Sequence, residues 1–398
     1  MSDGRNPGPL KGVRILDLTS VIFGPYATQM LGELGADVIK IEPPEGDVLR
    51  GVAPARTPGM GVVFMGSNRN KRSIVLDLKR PEAHAALMKL VATSDIFLHA
   101  VRPKAATKLG ITYDVLKAAR PDLIHCTAVG FAAAGPYADR PAYDDIIQAL
   151  SGTADLPRRV AGDGAKPQLF PSAIADKVGS MFVVQAILAA LYHRALTGDG
   201  QALEVPMFEA MTSFIMVEHL FGETHQPPTA GMGYTRQLSP HRRPHPTADG
   251  YIVVMPFSTK QWQAFFRLIG RPDMVDDARI TDPDKRSRGI GDLYAIISQV
   301  TPQRPTAEWL TLLDEADVPA MPVNRLEDLP NDPHLAATDF FVEYEHPTEG
   351  RLKTTRTPIT FSATPAETVR RPPPALGADT REVLREAGLT DAEIDGLA

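Results

Sequence analysis

The stretch Phe170-Pro-Ser-Ala-Ile-Ala-Asp-Lys-Val-Gly-Ser180 sets one carboxylate, Asp176, directly before the apolar run from Val178 to Tyr192. A Pro and a Ser precede it, so the pattern predicts a loop entering a helix, with Asp176 in or just before the first turn. A carboxylate there meets unpaired backbone N–H groups and the positive end of the helix dipole. Both would hold it ionised at neutral pH and fix its direction. An ionised, oriented Asp can serve as a nucleophile in covalent catalysis. The same position suits an N-cap, the commoner use of Asp, and the rest of the chain must decide between them.

The elements that would position Asp176 read as an α/β protein. Val13–Leu18 is a strand, Thr19–Pro25 a turn, Tyr26–Leu34 a helix stopped at Gly35, and Ala36–Glu42 a second strand. Strand, turn, helix and strand within about 30 residues make a right-handed βαβ unit. Its turn lies at the carboxyl end of the first strand, where open α/β sheets bind ligands. With a single glycine, Gly24, the turn lacks a G-x-G-x-x-G fingerprint, which argues against a dinucleotide despite Glu42 at the end of the second strand. Residues 43–66 read as a mobile Gly- and Pro-rich loop. Strands at Ser73–Leu78, Asp95–Val101, Leu123–Val129 and Gln201–Val205 alternate with helices, as in a mostly parallel sheet. The apolar run after Asp176 is shorter than the ~20 residues a bilayer span needs and contains Gln185, so it reads as a buried core helix.

Composition narrows the partners. The 398 residues carry a formal net charge of −6 with 43% hydrophobic residues, ordinary for a globular protein and unsuited to nucleic acid. The one cysteine, Cys126, precludes an intrachain disulfide and fits a reducing compartment. The N-terminal ten residues have no apolar core and read as no signal peptide. A cytoplasmic protein without membrane or nucleic-acid contacts is expected. His241 and His245 are too far in sequence from any acidic or cysteine cluster to predict a metal, and His125, in a strand, reads as structural.

Several collinear stretches resemble the class III CoA-transferases of the CaiB/BaiF type, the family of formyl-CoA transferase, carnitine CoA-transferase and alpha-methylacyl-CoA racemase. They are Leu10-Lys-Gly-Val-Arg-Ile-Leu-Asp-Leu-Thr19 with Gly24-Pro25 and Leu34–Glu42; Asn70–Lys79; Gly130-Phe131 with Gly135–Ala138, Tyr143-Asp144 and Gln148–Gly152; Ala175-Asp176-Lys177 with Arg194 and Thr197–Gln201; and Leu376-Gly377. The resemblance implies a nucleophilic Asp at Asp176 and a CoA thioester as substrate, with no tightly bound cofactor and no metal. It also implies an intertwined, ring-like homodimer. Each chain would have a Rossmann-like large domain (1–221, completed by about 339–398), a linker (222–249), a smaller α/β domain (250–325) and a second linker (326–338).

The chemistry follows from the residue type. A carboxylate attacks a thioester carbonyl to give a mixed anhydride and CoA thiolate. The thiolate then takes the Asp side, leaving an aspartyl-CoA thioester that an acceptor acid consumes in reverse order. Backbone N–H groups of the helix start would lie near the developing oxyanion. The CoA site is expected to include Val21, Ile22 and Phe23, with Lys108, Arg72 and Arg102 as cations for phosphate. Tyr143 and Gln148 would line the pocket near Asp176. Racemases of the family resemble one another in a His before the acid at position 144; Tyr143 stands here, which disfavours proton shuttling. Arg236, Arg242 and Arg243 could take a second carboxylate by bidentate hydrogen bonds, making a dicarboxylic acid such as succinate or a substituted succinate the acceptor or donor. An acyl-CoA racemase or isomerase on the same scaffold, or a non-catalytic CoA-binding paralogue, are the alternatives.

Overall fold

The computed structural model describes residues 8–397; residues 1–7, read above as carrying no signal peptide, lie outside the described residues. The described residues divide into two compact units. The first runs through Ser151 and adds residues 169–214 and the chain from Pro333 onward; the second comprises residues 152–168 and 215–332.

In the first unit six parallel strands form one sheet: β1 (Arg14–Leu18), β2 (Asp37–Glu42), β3 (Lys71–Val75), β4 (Ile96–His99), β5 (Ile124–Val129) and β6 (Ala202–Pro206). Their order, β3-β2-β1-β4-β5-β6, places a topological switch point between β1 and β4, at whose carboxyl ends ligands of doubly wound sheets bind. Ile15, Leu16, Ile39, Phe97 and Leu98 are fully buried, as strands covered on both faces by helices require. The chain after Pro333 belongs here. Asn70 Oδ1 accepts the N–H groups of Arg370 (2.7 Å) and Arg371 (2.9 Å), and the Ser73 N–H donates to Asp379 (2.8 Å).

Residues 43–66 are not a featureless loop. They contain a 3₁₀ turn, Val48–Gly51, and a helix, Val62–Ser67. The anchor is Arg50, which is buried, grips Glu42 at 2.7 Å and stacks 3.8 Å over the Phe64 ring. The Asp176 helix spans Ile174–Thr197 and outruns the apolar stretch that suggested it, so it reaches a length that would suffice for a membrane crossing. It packs on the sheet along one side only. Met181, Tyr192 and Leu196 are exposed on the other, so it is not the wholly buried core helix the composition predicted.

The second unit has its own apolar core around Trp262, Phe265, Phe266, Tyr294 and Trp309. Residues 222–249, expected as linker, belong to it: β7 (His245–Pro246) pairs with β8 (Tyr251–Val254), which pairs with β9 (Ala320–Pro322). Prolines made the stretch read as linker, but on an edge strand they are tolerated. The second expected linker, 326–338, spans the point where the chain passes from the second unit to the first, between Asp332 and Pro333, and carries a 3₁₀ helix at Leu326–Asn331 and a short helix at Pro333–Ala337.

Candidate active site

Asp176 sits in the first turn of its helix and is only 6% exposed. The carboxylate that caps this helix is not its own. Asp144, at the start of the helix Asp144–Leu150, accepts the N–H groups of Ala175 (2.7 Å) and Asp176 (3.1 Å) on one oxygen. Its other oxygen accepts from Gln148 Nε2 at 2.6 Å. Gln148, fully buried, also donates to the carbonyls of Phe170 and Ser172 and accepts the Phe170 N–H at 2.8 Å. Its amide is thereby committed to bracing the loop before Asp176. It does not offer a free group to a substrate, as the sequence suggested. Tyr143, the residue before Asp144, is 63% exposed.

This capping overturns the expectation that the helix terminus keeps Asp176 ionised. The N–H groups of Ala175 and Asp176 go to Asp144, and that of Lys177 goes to the Ala173 carbonyl. None remains for the Asp176 carboxylate or for an oxyanion. Burial, followed by the negative charges of Asp144 and Asp145, raises the Asp176 carboxyl to about 7, with Lys177 offsetting part of the rise. The helix start presents Asp176 with another anion where a bare terminus would have presented positive dipole.

The turn predicted to hold CoA does meet this helix. The Phe23 ring lies against Gly179, where a Cβ would fall 2.6 Å from a ring carbon, and Ser180 Oγ donates to the Phe23 carbonyl at 2.6 Å. Gly179→Ala is therefore expected to lower stability by about 1–3 kcal/mol; an unchanged midpoint in denaturant would contradict this close approach. Val21 holds a left-handed φ of 69°, which for a β-branched residue costs on the order of 1–3 kcal/mol. Buried charges fix the turn. Lys40 donates to the Thr19 carbonyl (2.8 Å) and Asp47 (2.9 Å), Asp47 accepts the Val21 N–H (3.3 Å), and Asp17 accepts the Thr19 N–H (3.1 Å) while paired with Lys71 (3.0 Å).

A cavity of about 400 Å³ opens at the carboxyl ends of β1, β2 and β3, lined by Thr19, Ser20, Pro43, Asp47 and Lys79 among others. Phe23 lies four positions after Thr19, a reach of at most about 14 Å, so one short turn joins the cavity wall to the Asp176 helix. Leu109 closes one side of the cavity; its neighbour Lys108 is exposed, as is Arg102, which donates to the Asp139 carbonyl at 2.9 Å.

Arg72 does not belong to this group. It is the second residue of β3, at the opposite end of the sheet, with Asp37 at 2.6 Å and Glu386 at 2.7 Å, and pins the helix Thr380–Glu386. Lys79, seven residues on, is the cation of that stretch at the cavity. At about 3.3 Å per residue a strand carries its two ends to different faces of the molecule. Arg72→Ala should therefore cost about 3 kcal/mol of stability without changing CoA affinity in a binding titration. The role of Asp144 was also missed, although its position ahead of an apolar run carries the signal of a helix start. Arg236, Arg242 and Arg243 belong to the second unit, where they gather around Tyr294 and Met255.

Comparison with known proteins places the chain in a family. The family model described as CoA-transferase family III covers residues 10–380. A succinate–glutarate CoA-transferase of Agrobacterium fabrum is 32% identical over 95% of each chain. A succinyl-CoA:mesaconate CoA-transferase of Haloarcula hispanica is 32% identical over 96% of this chain and 97% of its own. The crystal structure of Rv3272 from Mycobacterium tuberculosis superposes with a TM-score of 0.80 at 30% identity, covering 94% of this chain and 99% of that one. The chain is a CoA-transferase and belongs to CoA-transferase family III.

Proposed function

We propose that this protein moves CoA between a thioester and a free dicarboxylic acid through covalent intermediates on Asp176. The observation that carries this reading is a buried carboxylate, without a protein donor among the described residues, on a helix packed against the turn that walls the cavity. Asp176 Oδ attacks the thioester carbonyl carbon, the carbon–sulfur bond breaks, and CoA leaves as thiolate with the bonding pair, giving a mixed anhydride. The thiolate attacks Asp176 Cγ and expels the donor carboxylate, leaving the Asp176–CoA thioester. The acceptor carboxylate attacks the same carbon and expels thiolate, which then attacks the acceptor carbonyl and restores the Asp176 carboxylate. Each step exchanges one activated acyl bond for another. Val21–Phe23, Lys79, Lys108 and Arg102 are the proposed CoA contacts. The dicarboxylate class comes from the two relatives named above, which act on succinate and glutarate or on succinyl-CoA and mesaconate.

The raised carboxyl has a catalytic consequence. Ionising Asp176 in its resting site costs up to about 4 kcal/mol, three pKa units at 1.36 kcal/mol each. Acylation removes that charge from beside Asp144 and Asp145 and places it on sulfur, so the cost is relieved as the reaction proceeds. Below about pH 7 the attacking form falls tenfold per unit. kcat/KM should therefore rise with unit slope up to about pH 7 and level off above it. A profile flat between pH 5 and 8 would contradict this.

The exposed Met181, Tyr192, Leu196 and Phe214 support assembly as a homodimer, and the protein is proposed to act in the cytoplasm. An exchange assay with succinyl-CoA and a panel of free acids, without ATP, tests the function. New acyl-CoA species that vanish with Asp176→Ala are expected; silence across several donors with CoA still bound would overturn the proposal.

A further inference from the structure

We propose that the second unit carries a binding site for the carboxylate of a free short-chain dicarboxylic acid, built on Arg242, Arg243 and Tyr294 and braced by Arg236. It rests on the reading of a dicarboxylate as co-substrate and gives that substrate a place in the chain. A cavity of about 170 Å³ is lined by Arg242, Arg243, Val253, Val254, Met255 and Tyr294 among others. Two guanidiniums thus meet an apolar wall. That combination suits a short aliphatic chain ending in a carboxylate and suits a fully hydrated phosphate poorly.

The charges at this cavity are unmatched. Elsewhere in the unit Arg271, Arg279, Arg304 and Arg325 hold Asp273, Asp277, Glu308 and Asp328. Among the described residues no carboxylate lies within ion-pair distance of Arg236, Arg242 or Arg243. Arg242 donates to Gln237 Oε1, while its buried Nε finds no acceptor. A buried guanidinium N–H without a partner is costly, and a ligand carboxylate would satisfy it. The potential is visible in His245, whose imidazole is pushed down to about 4 by burial and then by the charges of Arg243 and His241. That ring accordingly stays neutral and hydrogen-bonds Ser298 at 2.7 Å.

Arg236 keeps the site in shape. Its Nε donates to Tyr294 Oη at 3.0 Å, and a terminal nitrogen reaches Met255 Sδ at 3.5 Å. Its guanidinium also sits 5.0 Å from the centre of the Phe257 ring. Tyr294, fully buried, is held from behind while it lines the cavity. A planar guanidinium fork recognises carboxylate in two-point geometry that a lysine cannot reproduce.

The test is calorimetric titration of the full-length, CoA-free protein with glutarate, with pentanoate and with CoA. Glutarate and pentanoate share a five-carbon chain and differ by one carboxylate. Wild type is expected to bind glutarate at least about tenfold more tightly than pentanoate. Arg243→Gln, an exposed position that leaves the core untouched, and Arg242→Gln should each remove most of that preference while CoA affinity holds. Arg236→Lys should weaken it less. Variants that bind glutarate as wild type does, or a wild type indifferent to the second carboxylate, would overturn the site. So would variants that lose CoA while keeping glutarate. The two proposals fail separately. A chain that shows the glutarate preference but exchanges no CoA sinks the transfer mechanism and leaves the site. One that exchanges CoA with the preference intact in both variants sinks the site alone.

Discussion

Asp176→Asn will abolish CoA exchange, by about 10⁴-fold or more, and will make the folded protein more stable. The activity loss follows because an amide cannot displace a thiolate or carry the anhydride. The stability gain follows from burial and from the neighbouring Asp144 and Asp145, which raise the native carboxyl to about 7 against an ordinary value of 3.8. In the native state the proton is held more tightly than in the unfolded chain. The penalty is therefore absent below about pH 4, grows as pH rises from 4 to 7, and is complete above 7. The asparagine never ionises. Its advantage over wild type should approach about 4 kcal/mol at pH 8 and shrink markedly at pH 5, read from denaturant midpoints at both values. An advantage equal at the two pH values would show that ionisation of Asp176 is not the cause. Lost stability with lost activity would point to a structural cap.

Removing Asp17 should be the most damaging single change to the fold around the ligand turn. Its side chain and those of Lys71, Lys40 and Asp47 are essentially unexposed. Burial alone would raise the Asp17 carboxyl, but Lys71, Lys40 and the hydroxyls of Thr19 and Thr28 outweigh it and hold it below its usual value. Asp17→Ala leaves two buried ammonium groups with one carboxylate between them. It also frees Thr19, whose carbonyl and N–H fix the turn that forces Val21 into its left-handed conformation. A loss of about 3–5 kcal/mol is expected, with weaker CoA binding in whatever remains folded. Asp17→Leu combined with Lys71→Met should recover much of the stability without restoring CoA affinity, because the charge problem is removed while the turn stays unanchored. Recovery of both would show that the network only stabilises the sheet.

The parallel sheet was legible because its information is local. β1, the following turn and β2 announce themselves by an apolar run, a glycine stop and a second apolar run. The place of Asp176 in the first turn of a helix was legible for the same reason, as an acid ahead of a long apolar run. The electrostatics of the site were not legible. The residue that caps the helix, Asp144, lies 32 positions earlier, and only the tertiary fold brings it to the N–H groups of Ala175 and Asp176. Gln148 shows the same limit: its type suggests a pocket, and its partners make it a brace. Arg72 was misplaced because a basic residue in the right stretch can stand at the wrong end of a strand. The edge strand at His245–Pro246 was hidden by prolines, which punctuate linkers and edge strands alike.

The central claim, that Asp176 carries CoA covalently, is tested most directly by mass spectrometry of the protein incubated with succinyl-CoA and no acceptor. The expected product is an adduct of CoA less one water on the peptide ending at Lys177, located on Asp176, absent from Asp176→Asn and discharged when a dicarboxylic acid is added. Exchange that continues in Asp176→Asn, or an adduct on another side chain that turns over at the rate of exchange, would contradict it.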